Sequence, residues 1–155
     1  YNKKYNEANN ISSAYLVRDK FSNSYVLESD LYLYNQDLIR KYEYHSNFLG
    51  FKVDRTDDWC LEIKNGIITK EKVGGLDCYQ MCGISYYDKE TGKQMEKDIK
   101  EVFMSPGGKE RYWEQVMLDI RKNNYKIYLR ECKKEDIIEI DTFNELKAID
   151  KTYDV

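Results

Sequence analysis

The stretch Trp59-Cys60-Leu61-Glu62-Ile63-Lys64-Asn65-Gly66-Ile67-Ile68-Thr69-Lys70-Glu71-Lys72-Val73 decides the fold. Two strand-like runs flank Asn65-Gly66, and both turn positions tolerate the positive φ that a two-residue hairpin demands. Upstream, Asn9-Asn10 can cap a helix with apolar positions Ile11, Ala14, Tyr15 and Leu16, ending near Phe21. A buried strand over 25–27 follows, then a helix over 37–44 through Leu38, Ile39 and Tyr42, then a strand over 47–53. Helix and strand alternate as in a wound α/β sheet, and the antiparallel hairpin makes that sheet mixed rather than purely parallel.

Downstream of the hairpin, Gly74-Gly75 breaks its second strand, and residues 78–87 form another strand that ends in a turn over 88–92. Met95, Ile99, Val102 and Phe103 recur at helical spacing, and Ser105-Pro106-Gly107-Gly108 separates that helix from a second one carrying Trp113, Val116, Met117 and Ile120. Two helices in a row should pack on the sheet. Residues 125–130 and 137–140 read as strands, and Thr142 opens a last helix, with Thr142 to Glu145 forming a capping box.

The 155 residues suffice for one domain with a real core, and the 15 tyrosines supply amphipathic rings that offset a 34 % charged fraction. A net charge of -3 lacks the basic excess that neutralises a nucleic-acid backbone, so nucleic acid is not the expected partner. The cysteines Cys60, Cys78, Cys82 and Cys132 show no CxxC pairing and read as reduced, mostly buried thiols. No apolar run approaches the roughly 20 residues of a membrane span. The expected location is cytoplasmic. The chain begins on Tyr1 in what reads as a polar loop entering a helix, so an N-terminally truncated piece is expected.

Two acidic triplets carry the chemistry. Glu28-Ser29-Asp30 and Glu139-Ile140-Asp141 each lie where a strand runs out, the place where open α/β sheets bind ligands. Alternation puts Glu28 with Asp30, and Glu139 with Asp141, on one face, and such carboxylates suit a hard cation that keeps water and phosphate oxygens as further ligands. The plainer reading is that Asp141 caps the last helix and Asp30 a turn. A second constellation joins Asp57-Asp58-Trp59 to Tyr112-Trp113-Glu114, since a quaternary ammonium is held by aromatic faces with carboxylates nearby. Trp113 also lies on its helix's apolar face, which favours a core role. His45, the only histidine, has no visible partner for base catalysis and reads as a surface residue.

Residues 5–15, Tyr25 to Asp30, Tyr112-Trp113-Glu114 and Glu139 to Thr142, together with Trp59 and residues 80–85, occur in an order that resembles bacterial phosphocholine cytidylyltransferases, within the sugar-phosphate nucleotidyltransferase superfamily. The resemblance covers essentially the whole chain. It implies a Rossmann-like three-layer α/β fold and Mg2+-dependent joining of CTP to phosphocholine. It further implies Asp30 and Asp141 as metal ligands, Trp59, Tyr112, Glu114 and Glu139 as lining of the phosphocholine pocket, and Asn10 and Ser13 as nucleotide-side residues. The family's first strand and glycine-rich nucleotide loop have no counterpart in residues 1–155, which on this reading form the C-terminal two-thirds of one nucleotidyltransferase domain, inactive alone. An uncovered sheet edge would then invite a homodimer. The alternatives are a nucleotidyltransferase acting on a sugar phosphate or an aminophosphonate, and a non-catalytic binding module.

Overall fold

The computed structural model describes residues 1–154. In chain order its elements are α1 (Ile11–Leu16), β1 (Ser24–Leu27), β2 (Leu31–Leu33), β3 (Asn47–Lys64), β4 (Ile67–Tyr87), α2 (Lys89–Met104), β5 (Tyr128–Glu131), β6 (Ile137–Glu139) and α3 (Phe143–Ile149). The main sheet has the order β1-β4-β3-β5: β4 is antiparallel to β1 and β3, while β5 runs parallel to β3. The mixed pairing that the hairpin demanded is therefore present. Asn65 and Gly66 take φ of 53° and 76°, the left-handed values of a two-residue turn. β2 and β6 form a separate antiparallel pair.

Three expectations need correction. Gly74-Gly75 does not end a strand, because β4 continues through it. Instead the long ribbon doubles back: Cys60 pairs with both Lys72 and Gln80, and Leu61 with both Glu71 and Tyr79. Gly74, at φ 74°, supplies the bend, and a Cβ on Gly75 would come within 2.8 Å of the Cys60 sulfur.

The helix expected over 37–44 is only a single turn, Gln36–Leu38, capped by the Asn35 side chain. Tertiary bonds override the periodicity. Arg130 takes up the Leu38 carbonyl and pairs with Glu43, which holds this segment as an irregular loop with Tyr42 in solvent. The second of the two tandem helices is also shorter than expected. Its regular part is a wide turn, Val116–Ile120, closed by an i to i+5 hydrogen bond from the Arg121 amide to the Val116 carbonyl (2.9 Å). That winding buries Leu118 and leaves Ile120 outside.

The main core lies between α2 and the sheet, where Met95, Ile99, Val102 and Phe103 meet Phe21, Phe48, Tyr87 and Val116. Trp113 belongs to this core, with its ring 5.5 Å from Phe21 and 6.0 Å from Tyr87, as its helical face implied. The Asp88 carboxylate caps α2 by accepting from the Thr91 amide at 2.9 Å. All four cysteines are free, and His45 is exposed and stacked on Tyr128. Among the described residues no helix is long and apolar enough to cross a membrane.

Candidate functional site

The β2–β6 pair explains how two distant acidic triplets meet. A two-residue turn at Ser29-Asp30 connects β1 to β2, and the register sets Leu31 opposite Glu139. The Asp30 carbonyl accepts from the Ile140 amide at 2.8 Å, which locks the two triplets side by side. Glu28, the residue after β1, lies flat against β4: its amide donates to the Gly83 carbonyl, and a Cβ on Gly83 would collide with the Glu28 carboxylate. As a result Glu28, Asp30 and Glu139 each present an oxygen within 4.8 Å of the others.

These carboxylates open onto a cavity of about 240 Å³, which is also lined by Asn10, Asp58, Trp59, Glu71, Met81, Gly83, Tyr112, Glu114 and Gln115. Six of its lining residues are acidic and none is Lys or Arg. The Trp59 and Tyr112 rings meet edge to face at 5.5 Å. Trp59 is set by Asp58, whose carboxylate accepts from the Trp59 amide (2.6 Å) and from the Gln80 side chain (3.2 Å). Gln80 in turn accepts from the Thr56 hydroxyl at 2.9 Å. Tyr112 is positioned by its amide's bond to the Gln115 side chain at 3.1 Å.

Glu71 and Glu114 are the two buried carboxyls of the lining, at 8 % and 6 % exposure, while Asp30, Asp58 and Glu139 stand at its exposed side. Asn10, just before α1, accepts from the Trp113 amide (2.9 Å) and faces Glu114 through its side-chain nitrogen (3.5 Å).

The electrostatic consequence is a frustrated anionic pocket. Burial raises the Glu114 carboxyl to about 8, and the charges of Glu28 and Glu71 add to the shift. Burial, together with Asp119, pushes Glu71 up to about 7. Glu139 rises to about 7 through burial and the charges of Asp141, Glu28, Asp58 and Asp30. Glu28 moves the same way, from burial first and then Asp30. Several acids raised together in one cleft are the electrostatic mark of a functional site.

Of the site residues expected from sequence, Asn10, Asp30, Trp59, Tyr112, Glu114 and Glu139 share this one cavity. Asp141 stands beside it: it does not line the cavity, but its charge acts on Glu139 and Glu28. It is not the cap of α3, a role taken by Thr142 in a reciprocal capping box with Glu145. Ser13 is exposed, accepts from the Asn2 side chain at 3.1 Å and lies outside the lining. Glu71 escaped the sequence reading because it occupies a charged strand, Lys70-Glu71-Lys72, which looks solvated. Only the doubling back of the ribbon buries it.

No protein-family model matches the chain. It is 26% identical to the choline-phosphate cytidylyltransferase of Streptococcus pneumoniae, over 97% of this chain and 66% of that protein. It is 27% identical to the 2-aminoethylphosphonate cytidylyltransferase of Lancefieldella rimae, over 98% of this chain and 63% of that protein. The solved structure of the CTP:phosphocholine cytidylyltransferase from Streptococcus pneumoniae superposes with a TM-score of 0.84 at 25% identity, covering 97% of this chain and 66% of that one. The chain therefore has the Rossmann-like nucleotidyltransferase fold, and it spans about two thirds of the length of the relatives it matches.

Proposed function

We propose that this chain, phosphocholine cytidylyltransferase-like in sequence and in fold, carries the acceptor site of an enzyme that transfers a cytidylyl group from CTP to phosphocholine, giving CDP-choline and pyrophosphate. The observation that carries the proposal is the cavity lining: two aromatic rings in edge contact, ringed by carboxylates and without a basic residue. A trimethylammonium group has no N–H to donate. It is recognised by ring faces and by unpaired negative charge, at about 0.5–2 kcal/mol per ring depending on desolvation. A hexose phosphate offers no cation to set against these carboxylates and no methylammonium surface for the ring faces.

The acceptor's phosphate oxygen would attack the α-phosphorus of CTP in line. That oxygen is already ionised at neutral pH, so no protein base is needed, which agrees with the absence of a histidine from the cavity lining. The chain's own task is alignment. Trp59 and Tyr112 would fix the headgroup, and Glu114 and Glu139 would supply its countercharge. Asn10, and Ser13 further out, would face the nucleotide side.

The carboxylates at the exposed side fit a magnesium ion, because Glu28, Asp30 and Glu139 bring oxygens within 4.8 Å of each other and two of the three have carboxyls raised by burial and mutual repulsion. Asp30 would hold the ion together with Glu28 and Glu139, and Asp141, the other ligand expected from sequence, would add its charge from beside the cluster. When bound, the ion supplies neutralisation of the phosphate oxygens as they approach. The test is an acceptor series measured by pyrophosphate release from CTP, in the polypeptide that carries this chain: phosphocholine should be used well ahead of hexose 1-phosphates. A preference for a hexose phosphate would overturn the reading.

A further inference from the structure

Gly83 lies inside β4, a place where a glycine weakens a strand by offering no side chain to pack. Its backbone does not call for one. The positive-φ glycines are Gly66, Gly74 and Gly107, so Gly83 has a conformation that any residue could adopt. What it supplies is clearance. The three atoms that a Cβ on Gly83 would meet first all belong to the Glu28 side chain: a carboxylate oxygen, the carboxylate carbon, and Cγ at 2.8 Å. At Gly92 and Gly108 the first obstacles are backbone atoms, of Ser22 and Val102, so those glycines serve the packing of the fold. At Gly83 the obstacle is the free end of a flexible side chain.

The register explains the encounter. Leu27 pairs with Ile84, so Glu28 follows directly opposite Gly83, and its amide donates to the Gly83 carbonyl. Opposite residues of an antiparallel pair hold their Cβ atoms about 4.5–5.5 Å apart, which leaves no room for one side chain to lie across the other. Over a glycine the Glu28 stem does lie across β4. Its carboxylate thereby comes within 4.8 Å of the oxygens of Asp30 and Glu139, and its charge also acts on the buried Glu114.

We propose that Gly83 is a positioning residue, whose missing side chain leaves the room for Glu28 to bring a third carboxylate to the cation cluster. This rests on the reading of Glu28, Asp30 and Glu139 as the magnesium site. An alanine at this position would turn the Glu28 carboxylate away. Asp30 and Glu139 would stay, because the β2–β6 pairing sets them independently of Gly83.

The test is a titration with Mn2+, a paramagnetic stand-in for Mg2+, followed by electron paramagnetic resonance. It compares the polypeptide that carries this chain with its Gly83→Ala, Glu28→Ala and doubly substituted forms. The wild type should bind Mn2+, and each single variant should bind it at least about ten-fold more weakly. The double variant should lie within about two-fold of Glu28→Ala, since a displaced carboxylate cannot be lost twice. The melting temperature of Gly83→Ala should stay within about 3 °C of the wild type, and any larger loss should be regained in the double variant, where the collision is gone. Unchanged affinity in either single variant, losses that multiply in the double variant, or a melting temperature that stays low there would overturn the role of Gly83 while leaving the cluster standing. A wild type with no affinity for Mn2+ would overturn the cluster and this proposal together.

Discussion

Asp98 and Glu71 are both buried carboxylates, 2 % and 8 % exposed, yet the chain treats them in opposite ways. Asp98, on the inner face of α2, accepts from the Asn124 side chain at 3.0 Å and from the Tyr125 hydroxyl at 2.7 Å. Burial works to raise its carboxyl, but the bonds from Asn124, Gln94 and Tyr125 overcome that and hold it below the ordinary range. Glu71 has a bare oxygen and acidic neighbours, and burial drives it upward. One region is finished when the chain has folded. The other is left with a demand for positive charge, and in a folded domain such unmet demand is concentrated where a ligand is meant to arrive.

The contrast breaks most visibly at the two kinds of aspartate. Asp30→Ala should lower cytidylyl transfer in the polypeptide that carries this chain by about 10²-fold or more while leaving the melting temperature in place, because Asp30 would act on phosphate charge rather than on packing. Asp98→Ala should do the reverse. It leaves the Tyr125 hydroxyl and the Asn124 amide without their acceptor, and chemical denaturation should register a loss of about 3 kcal/mol. A stability loss at Asp30 as large as that at Asp98 would erase the distinction between the regions.

A smaller effect should be seen in the pH dependence of stability. Glu71, Glu114 and Glu139 have carboxyls raised to about 7, 8 and 7 from an ordinary 4.5, so the folded chain holds more protons than the unfolded one between those values. Their contribution is fully present below pH 4.5 and is lost as pH rises toward 8. The melting temperature should fall by at least about 5 °C between pH 5 and pH 8, the amount that a single such group would supply. Saturating phosphocholine should recover part of the drop. A melting temperature that rises over this interval would mean that the acids are satisfied after all.

Local chemistry made much of the fold legible. Asn65-Gly66 and the Thr142–Glu145 capping box use only neighbouring residues, and α2 shows its buried stripe in its own periodicity. The loop over 39–44 was illegible because its conformation depends on Arg130, far along the chain, which takes the backbone carbonyl that a helix would have used. The candidate site divides in the same way. Asp30 and Glu139 stand out as acids at strand ends, and Trp59 and Tyr112 stand out by their size. Glu71 sits among lysines and becomes a lining residue only because β4 passes twice beside Cys60 and Leu61. Long-range pairing of that kind leaves no short-range trace.

The most direct measurement is an NMR titration of the Glu71 and Glu114 side-chain carboxyl carbons, with and without phosphocholine. Both groups should titrate well above the ordinary glutamate range in the free chain, and both should move down when the ligand is bound. Ordinary values near 4.3 in the free chain, unmoved by the ligand, would contradict the claim that this cavity is built to receive a cation.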